Sequence, residues 1–224
     1  MIKATDGTAS YRYERKFTVP LYMVRNLATM LRASSFGFRE IFSERHVNNI
    51  YYDTPLFRFF SENVQGVPER KKIRIRWYGE AHLPNRCRFE IKRKNGLVGA
   101  KDVEQVDCSF DNLNDMPGIE NVRVPDIFAH ETASVGPTLL NRYRRRYFLS
   151  ASEQFRATID YDIFYSHPSA ANKNGMGYPD NEAVLELKYD HEFDMDASGV
   201  SSELPFSVSK KSKYVTGINM VYGF

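Results

Sequence analysis

In "KKIRIRWYGE", residues 71–80, Arg74 and Arg76 are separated by a single isoleucine. Residues two apart on a strand share a face, so the two guanidinium groups lie side by side and repel unless an anion sits between them. The same alternation recurs along the chain. One face carries Arg12, Glu14 and Lys16, then Lys72 with the two arginines, then Arg88, Glu90 and Lys92, then Arg156, Thr158 and Asp160, then Glu182, Glu186 and Lys188. The opposite face carries Ile73, Ile75 and Trp77, then Phe89 and Ile91, Phe155, Ala157 and Ile159, and Leu185, Leu187 and Tyr189. The planar donor fork of arginine suits phosphate oxygens. Carboxylates among such cations suit a divalent metal held on those phosphates. Together they could serve phosphoryl transfer, which asks the protein mainly to position the reactants and neutralise charge. A sheet with one face on a core and the other in water gives the same alternation, so the pattern alone leaves both arrangements open.

The elements that must hold these residues are mostly strands. "YRYERKFTV" alternates as a strand, and Pro20 stands in the first turn of a helix with Leu21, Val24, Leu27, Ala28 and Leu31 as its apolar stripe. "HVNNIYYD" is a strand closed by the turn at "DTP", and "LFRFFSEN" forms a short helix. "ERKKIRIRWYG" and "NRCRFEIKRK" are strands joined by the hairpin-length loop "EAHLPN", and "GLVGAKDVEQVDC" is a further strand. A polar insertion through Gly136 is expected to be loop plus short helix. The strands "TLLNRYRRRYFLS" and "EQFRATIDYDIFY" follow, then the turn-rich "SHPSAANKNGMGYPDN" and the strand "AVLELKY". The expected architecture is an antiparallel α+β domain, mainly β, over residues 1–224 as one unit. Such a sheet can curl into a barrel with the charged face inside and the helices outside. Cations concentrated in such a channel are costly unless an anion fills it.

Composition narrows the classes. The chain has 224 residues, 42% of them hydrophobic, 26% charged and 14% aromatic, which fits a folded strand-rich domain and excludes extensive disorder. A net charge of +3 is too small for a nucleic-acid coat, so nucleic acid is not the expected partner. Cys87 and Cys108 have no CxxC spacing, and the five histidines have no metal-ligand spacing. "GLVGAK" lacks the Gly-x4-Gly-Lys-Ser/Thr spacing of a P-loop. Tyr51, Tyr52 and Phe60 are assigned to core packing. No apolar run approaches a membrane span, so the expected location is cytoplasmic, with membrane association only through parts outside this chain.

The ordered series "RYERKF", "IYYDTP", "KIRIRWY", "FEIKRK", "YRRRYF", "FRATIDYD", "LELKY" and "SKKSKY" resembles the VTC (vacuolar transporter chaperone) domain, a branch of the triphosphate tunnel metalloenzymes. It runs from Arg12 to Tyr214. The resemblance implies an eight-stranded closed antiparallel tunnel that binds ATP or another triphosphate, or inorganic polyphosphate, with Mn2+ or Mg2+. It implies a polyphosphate polymerase. A tripolyphosphatase or nucleoside triphosphatase, and a non-catalytic polyphosphate-binding module, are the alternatives on the same fold. Carried over by motif, Lys16, Arg74, Arg76, Lys92, Arg145 and Arg156 are the catalytic phosphate ligands, Lys210 and Lys213 bind substrate with Lys101 as a further contact, and Glu186 and Glu14 take the metal. Arg142, Arg144 and Arg146 flank Arg145 on the other face, so a one-residue slip would exchange the two sets. Lys210 and Lys213 stand three apart, a spacing that suits a helical turn or an irregular segment better than a strand.

Overall fold

A computed structural model of the protein describes residues 12–79, 86–96, 98–106, 133–168 and 176–224. Eight strands of nine or more residues form its frame: β1 (Arg12–Pro20), β2 (Arg39–Asp53), β3 (Glu69–Tyr78), β4 (Cys87–Asn95), β5 (Val98–Val106), β6 (Gly136–Leu149), β7 (Arg156–Ser166) and β9 (Glu182–Asp190). Two short pieces, β8 (Tyr178–Pro179) and β10 (Val208–Ser209), pair with β7 and β1. The helices are α1 (Val24–Ala33), α2 (Arg58–Gln65), α3 (Asp194–Ser202) and α4 (Lys213–Tyr222). All pairings are antiparallel, in the order β10-β1-β9-β7-β6-β2-β3-β4-β5.

The apolar face of this sheet is covered from outside in two patches. Phe17, Phe148, Phe155, Ile159, Leu185 and Leu187 pack with Leu27 and Leu31 of α1 and Val200 of α3. Ile73, Ile75, Trp77, Phe89 and Ile91 pack with Phe59 of α2. Helix α1 presents Val24, Leu27, Ala28 and Leu31, the one-face spacing of an amphipathic helix. Helix α2 has no side-chain cap at Phe57, and the Asp53 carboxylate at the end of β2 accepts from the Phe59 and Phe60 amides at 2.9 Å instead.

Several expectations need correction. No hydrogen bonds join the β5 edge to the β1 and β10 edge among the described residues, so the described strands do not close into the expected barrel by backbone pairing. The sheet curls until Lys92 of β4 lies 3.6 Å from Glu14 of β1, and side chains span the seam. Not every helix packs outside. Tyr214 and Ile218 of α4 pack with Tyr51, Tyr143 and Val184, residues of the face that carries the charges, so the last helix fills one end of the inner surface. Its approach is close enough to need glycine: a Cβ at Gly217 would stand 2.5 Å from the Tyr165 ring and 2.6 Å from Leu139. Leu21 is 37% exposed in a 3-10 turn ahead of α1 and is not part of the stripe. Strand β2 starts seven residues earlier than "HVNNIYYD", carried by the longer partner β6. The loop "EAHLPN", Cys108 and most of the polar insertion lie outside the described residues.

Candidate functional site

Pairing across the curled sheet sorts the inner charges into two groups. The first stands on β2 to β6. Arg74 donates from Nε to Glu90 Oε2 at 2.6 Å and from Nη1 to the Tyr51 hydroxyl at 3.1 Å. Lys101 reaches the other Glu90 oxygen at 2.8 Å. Arg76, 7% exposed, donates to Asn49 Oδ1 at 2.7 Å and to the Tyr143 hydroxyl at 3.0 Å. Arg74 and Arg76 therefore share one face, each held by a fork of fixed acceptors.

The second group stands on β1, β6, β7, β9 and the start of α4. Lys16 lies 2.7 Å from Glu14 and 3.6 Å from Glu186, which bridges the two carboxylates. Lys188 lies 3.3 Å from Glu186 and 4.0 Å from Glu14. Arg145 grips Asp160 with both arms, at 2.5 and 2.6 Å, and its Nη2 stands 3.7 Å from Glu186. Lys213 lies 2.5 Å from Asp160 and 3.9 Å from Glu186. Strand β6 thus sits in the register that turns Arg145 inward, while Arg144 and Arg146 pair outside with Glu44 and Glu40. Lys213 is the first residue of α4, whose N-cap is Ser212, so the three-residue spacing from Lys210 belongs to a helix start.

The cations outnumber the carboxylates, and protonation follows. Burial alone would raise Glu186, but Lys188, Lys16, Lys213 and Arg145 hold it well below the ordinary value. Burial and the neighbouring Glu186 would raise Glu14, yet Lys16, Lys92 and Lys188 outweigh them and lower it. Asp160 is likewise lowered against burial, by Arg145 and Lys213, and Glu90 by Arg74, Arg76 and Lys101. All four carboxylates are ionised at neutral pH. Lys72, also inward, has no carboxylate within ion-pair distance among the described residues.

Not every expected residue joins these groups. Arg156 is exposed at the start of β7, paired in register with Lys188 and on the face of Asp160, so it marks the rim. Lys210 is exposed between β10 and α4. Lys92 is about half exposed at the seam. Glu90, Asp160 and Lys188 stood on the polar faces of the sequence but outside the candidate set, and the cross-strand partners of Arg74 and Arg145 would have singled out the first two. Tyr51, Tyr143 and Asn49 were missed. Tyr51 is core through its ring, as expected, but its hydroxyl belongs to the site.

No group of three or more His, Cys, Asp or Glu side chains suited to a metal exists among the described residues. Glu14 and Glu186, ionised and sharing Lys16, nonetheless fit Mg2+ or Mn2+, which commonly takes one or two carboxylates and completes its shell from phosphate and water.

An antiparallel sheet curled around an inner face of arginine, lysine and carboxylate defines the class, and comparison with known proteins agrees. The model of the VTC domain matches residues 11–222, and the chain belongs to that family. A solved structure of a proposed adenylate cyclase from Vibrio parahaemolyticus shares the fold at 13% identity, covering 93% of this chain and 99% of its own, with a TM-score of 0.53. An adenylyl cyclase candidate from Hippeastrum, described as having a dominant triphosphatase activity, gives 12% identity over 91% of this chain and 94% of its own, with a TM-score of 0.49. A search among curated proteins finds no match to the sequence. No helix among the described residues is long and apolar enough to cross a membrane.

Proposed function

We propose that this chain is a metal-dependent phosphoryl transferase that takes a triphosphate into the curled sheet, and that its reaction is polyphosphate synthesis from ATP. The observation that carries the reading is the convergence of Arg74, Arg76, Lys16, Arg145 and Lys213 from separate strands and a helix start onto one inner face with too few carboxylates to neutralise them. Membership of the VTC family supports it.

In this reading Arg74 and Arg76 clamp neighbouring phosphoryl groups, because their forks are already oriented by Glu90, Tyr51, Asn49 and Tyr143. Lys16, Arg145 and Lys213 neutralise charge developing on the transferred group. Glu14 and Glu186 would hold the metal, which supplies further charge neutralisation on the phosphate oxygens. The bond from the terminal phosphorus of ATP to its bridging oxygen breaks, ADP leaves, and a new bond forms to the terminal oxygen of the acceptor chain. That acceptor is already an anion and needs no base. Water would need one, and the inner carboxylates, all lowered, are weak bases. This favours a phosphate chain over water, with the hydrolase as the second reading.

Incubation with ATP and Mn2+ should give a ladder of chain lengths on a gel. Orthophosphate without polymer would select the hydrolase, and tight tripolyphosphate binding with no turnover would select a binding module. Glu186→Gln should lower turnover about 100-fold while leaving tripolyphosphate affinity within about threefold, because the cations remain.

A further inference from the structure

Lys72 is an inner-face lysine with no carboxylate within ion-pair distance among the described residues, and unlike Arg76, which is held by Asn49 and Tyr143, it can give up its proton. Lys16 stands on Glu14, Lys92 faces the same carboxylate, and Arg74 is held by Glu90. Arg70 gives a hydrogen to the Val67 carbonyl at 2.7 Å. Lys72 Nζ has the Ser212 hydroxyl at 2.9 Å, at the N-cap of α4, and the ring of Tyr214 at 5.8 Å. The charges that act on it most strongly are Lys16 of β1, Arg70 and Arg74 of β3 and Lys92 of β4, all positive; Glu14, already engaged by Lys16 and Lys92, and Lys213, next to Ser212 in the chain, belong to the same surroundings. A partly buried ammonium in such company relieves repulsion most cheaply by giving up its proton.

We propose that Lys72 is the proton-linked cation of the channel: only partly protonated near neutral pH while the channel is empty, it takes up a proton from solution when a polyphosphate binds beside it. Burial first, and then Lys16, Lys92, Arg74 and Arg70, push its ammonium down to about 7, in the range where an arriving anion can reverse the balance. Once the anion is seated Lys72 is charged, donates to Ser212, and is no base for water. The inference rests on the channel being the site of triphosphate binding.

The test is calorimetric titration of the whole chain with tripolyphosphate, without metal, at several pH values and in two buffers of different ionisation heat. Lys72→Arg keeps a permanent charge, and comparing it with the wild type cancels the protons of tripolyphosphate itself. The wild type should take up about half a proton or more beyond Lys72→Arg near pH 7.5, and between pH 7 and 9 its affinity should fall about tenfold further. Equal proton uptake and parallel pH profiles would overturn the linkage while leaving the binding site standing. Failure of tripolyphosphate to bind the wild type at any pH would overturn the site and the linkage together. A circular dichroism spectrum matching the wild type keeps Lys72→Arg interpretable, and 13C-dimethyl-lysine NMR of the wild type gives the same answer without substitution: a signal titrating near 7 in the free protein must move upward with tripolyphosphate.

Discussion

The two halves of the inner face solve the same electrostatic problem in opposite ways. Around Arg74 and Arg76 each guanidinium is tied by short, directed bonds to acceptors fixed in the core: Glu90 and Tyr51, then Asn49 and Tyr143. Around Glu14 and Glu186 lysines share carboxylates, mostly at 3.3 to 4.0 Å, and one carboxylate serves several cations. Rigid forks suit a repeated ligand geometry, whereas a loosely shared cluster can exchange partners when metal or phosphate arrives. Arg145 joins the halves: it forms a buried bidentate pair with Asp160 inside the looser group and lies 5.3 Å from the ring centre of Tyr143, whose hydroxyl holds Arg76.

That joint is the place to break the comparison. Asp160 is fully buried, and Asp160→Asn would leave Arg145 and Lys213 without the nearer of the two carboxylates they share, at a cost of about 3–5 kcal/mol in denaturant unfolding. The effect has a sign in pH. Burial would raise Asp160, but Arg145 and Lys213 hold it below the ordinary 3.8, so its contribution is complete above that value and fades as the pH falls through the lowered one. The stability gap between wild type and Asp160→Asn should therefore shrink in strong acid.

Conservative swaps sharpen the contrast. Arg74→Lys keeps the charge but loses the fork on Glu90 and Tyr51, and tripolyphosphate affinity measured by calorimetry should drop about tenfold. Lys92→Arg, at the loosely packed seam, should change it by less than about twofold. Equal losses at both positions would mean that the two halves bind alike.

The alternation of polar and apolar residues was legible wherever a strand ran two residues per repeat, and Ile73, Ile75, Trp77, Phe89 and Ile91 are all fully buried on the face it assigns. One interruption also carried meaning. Between Glu182 and Glu186 the polar face holds Val184, which packs against α4 at the plugged end. An apolar residue in a charged row signals something covering it. What the sequence did not offer was the covering element, because α4 starts more than twenty residues downstream.

By itself the sequence determined which side chains share a face, since strand geometry is a property of neighbouring φ and ψ. It also supplied the ordered motifs of the family. Only the tertiary structure decided that Arg145 rather than Arg144 turns inward, that Lys213 enters from a helix start, and that Lys92 meets Glu14 across an edge without backbone bonds. Curvature and strand neighbours arise from contacts between residues far apart in the chain, and local periodicity holds no record of them.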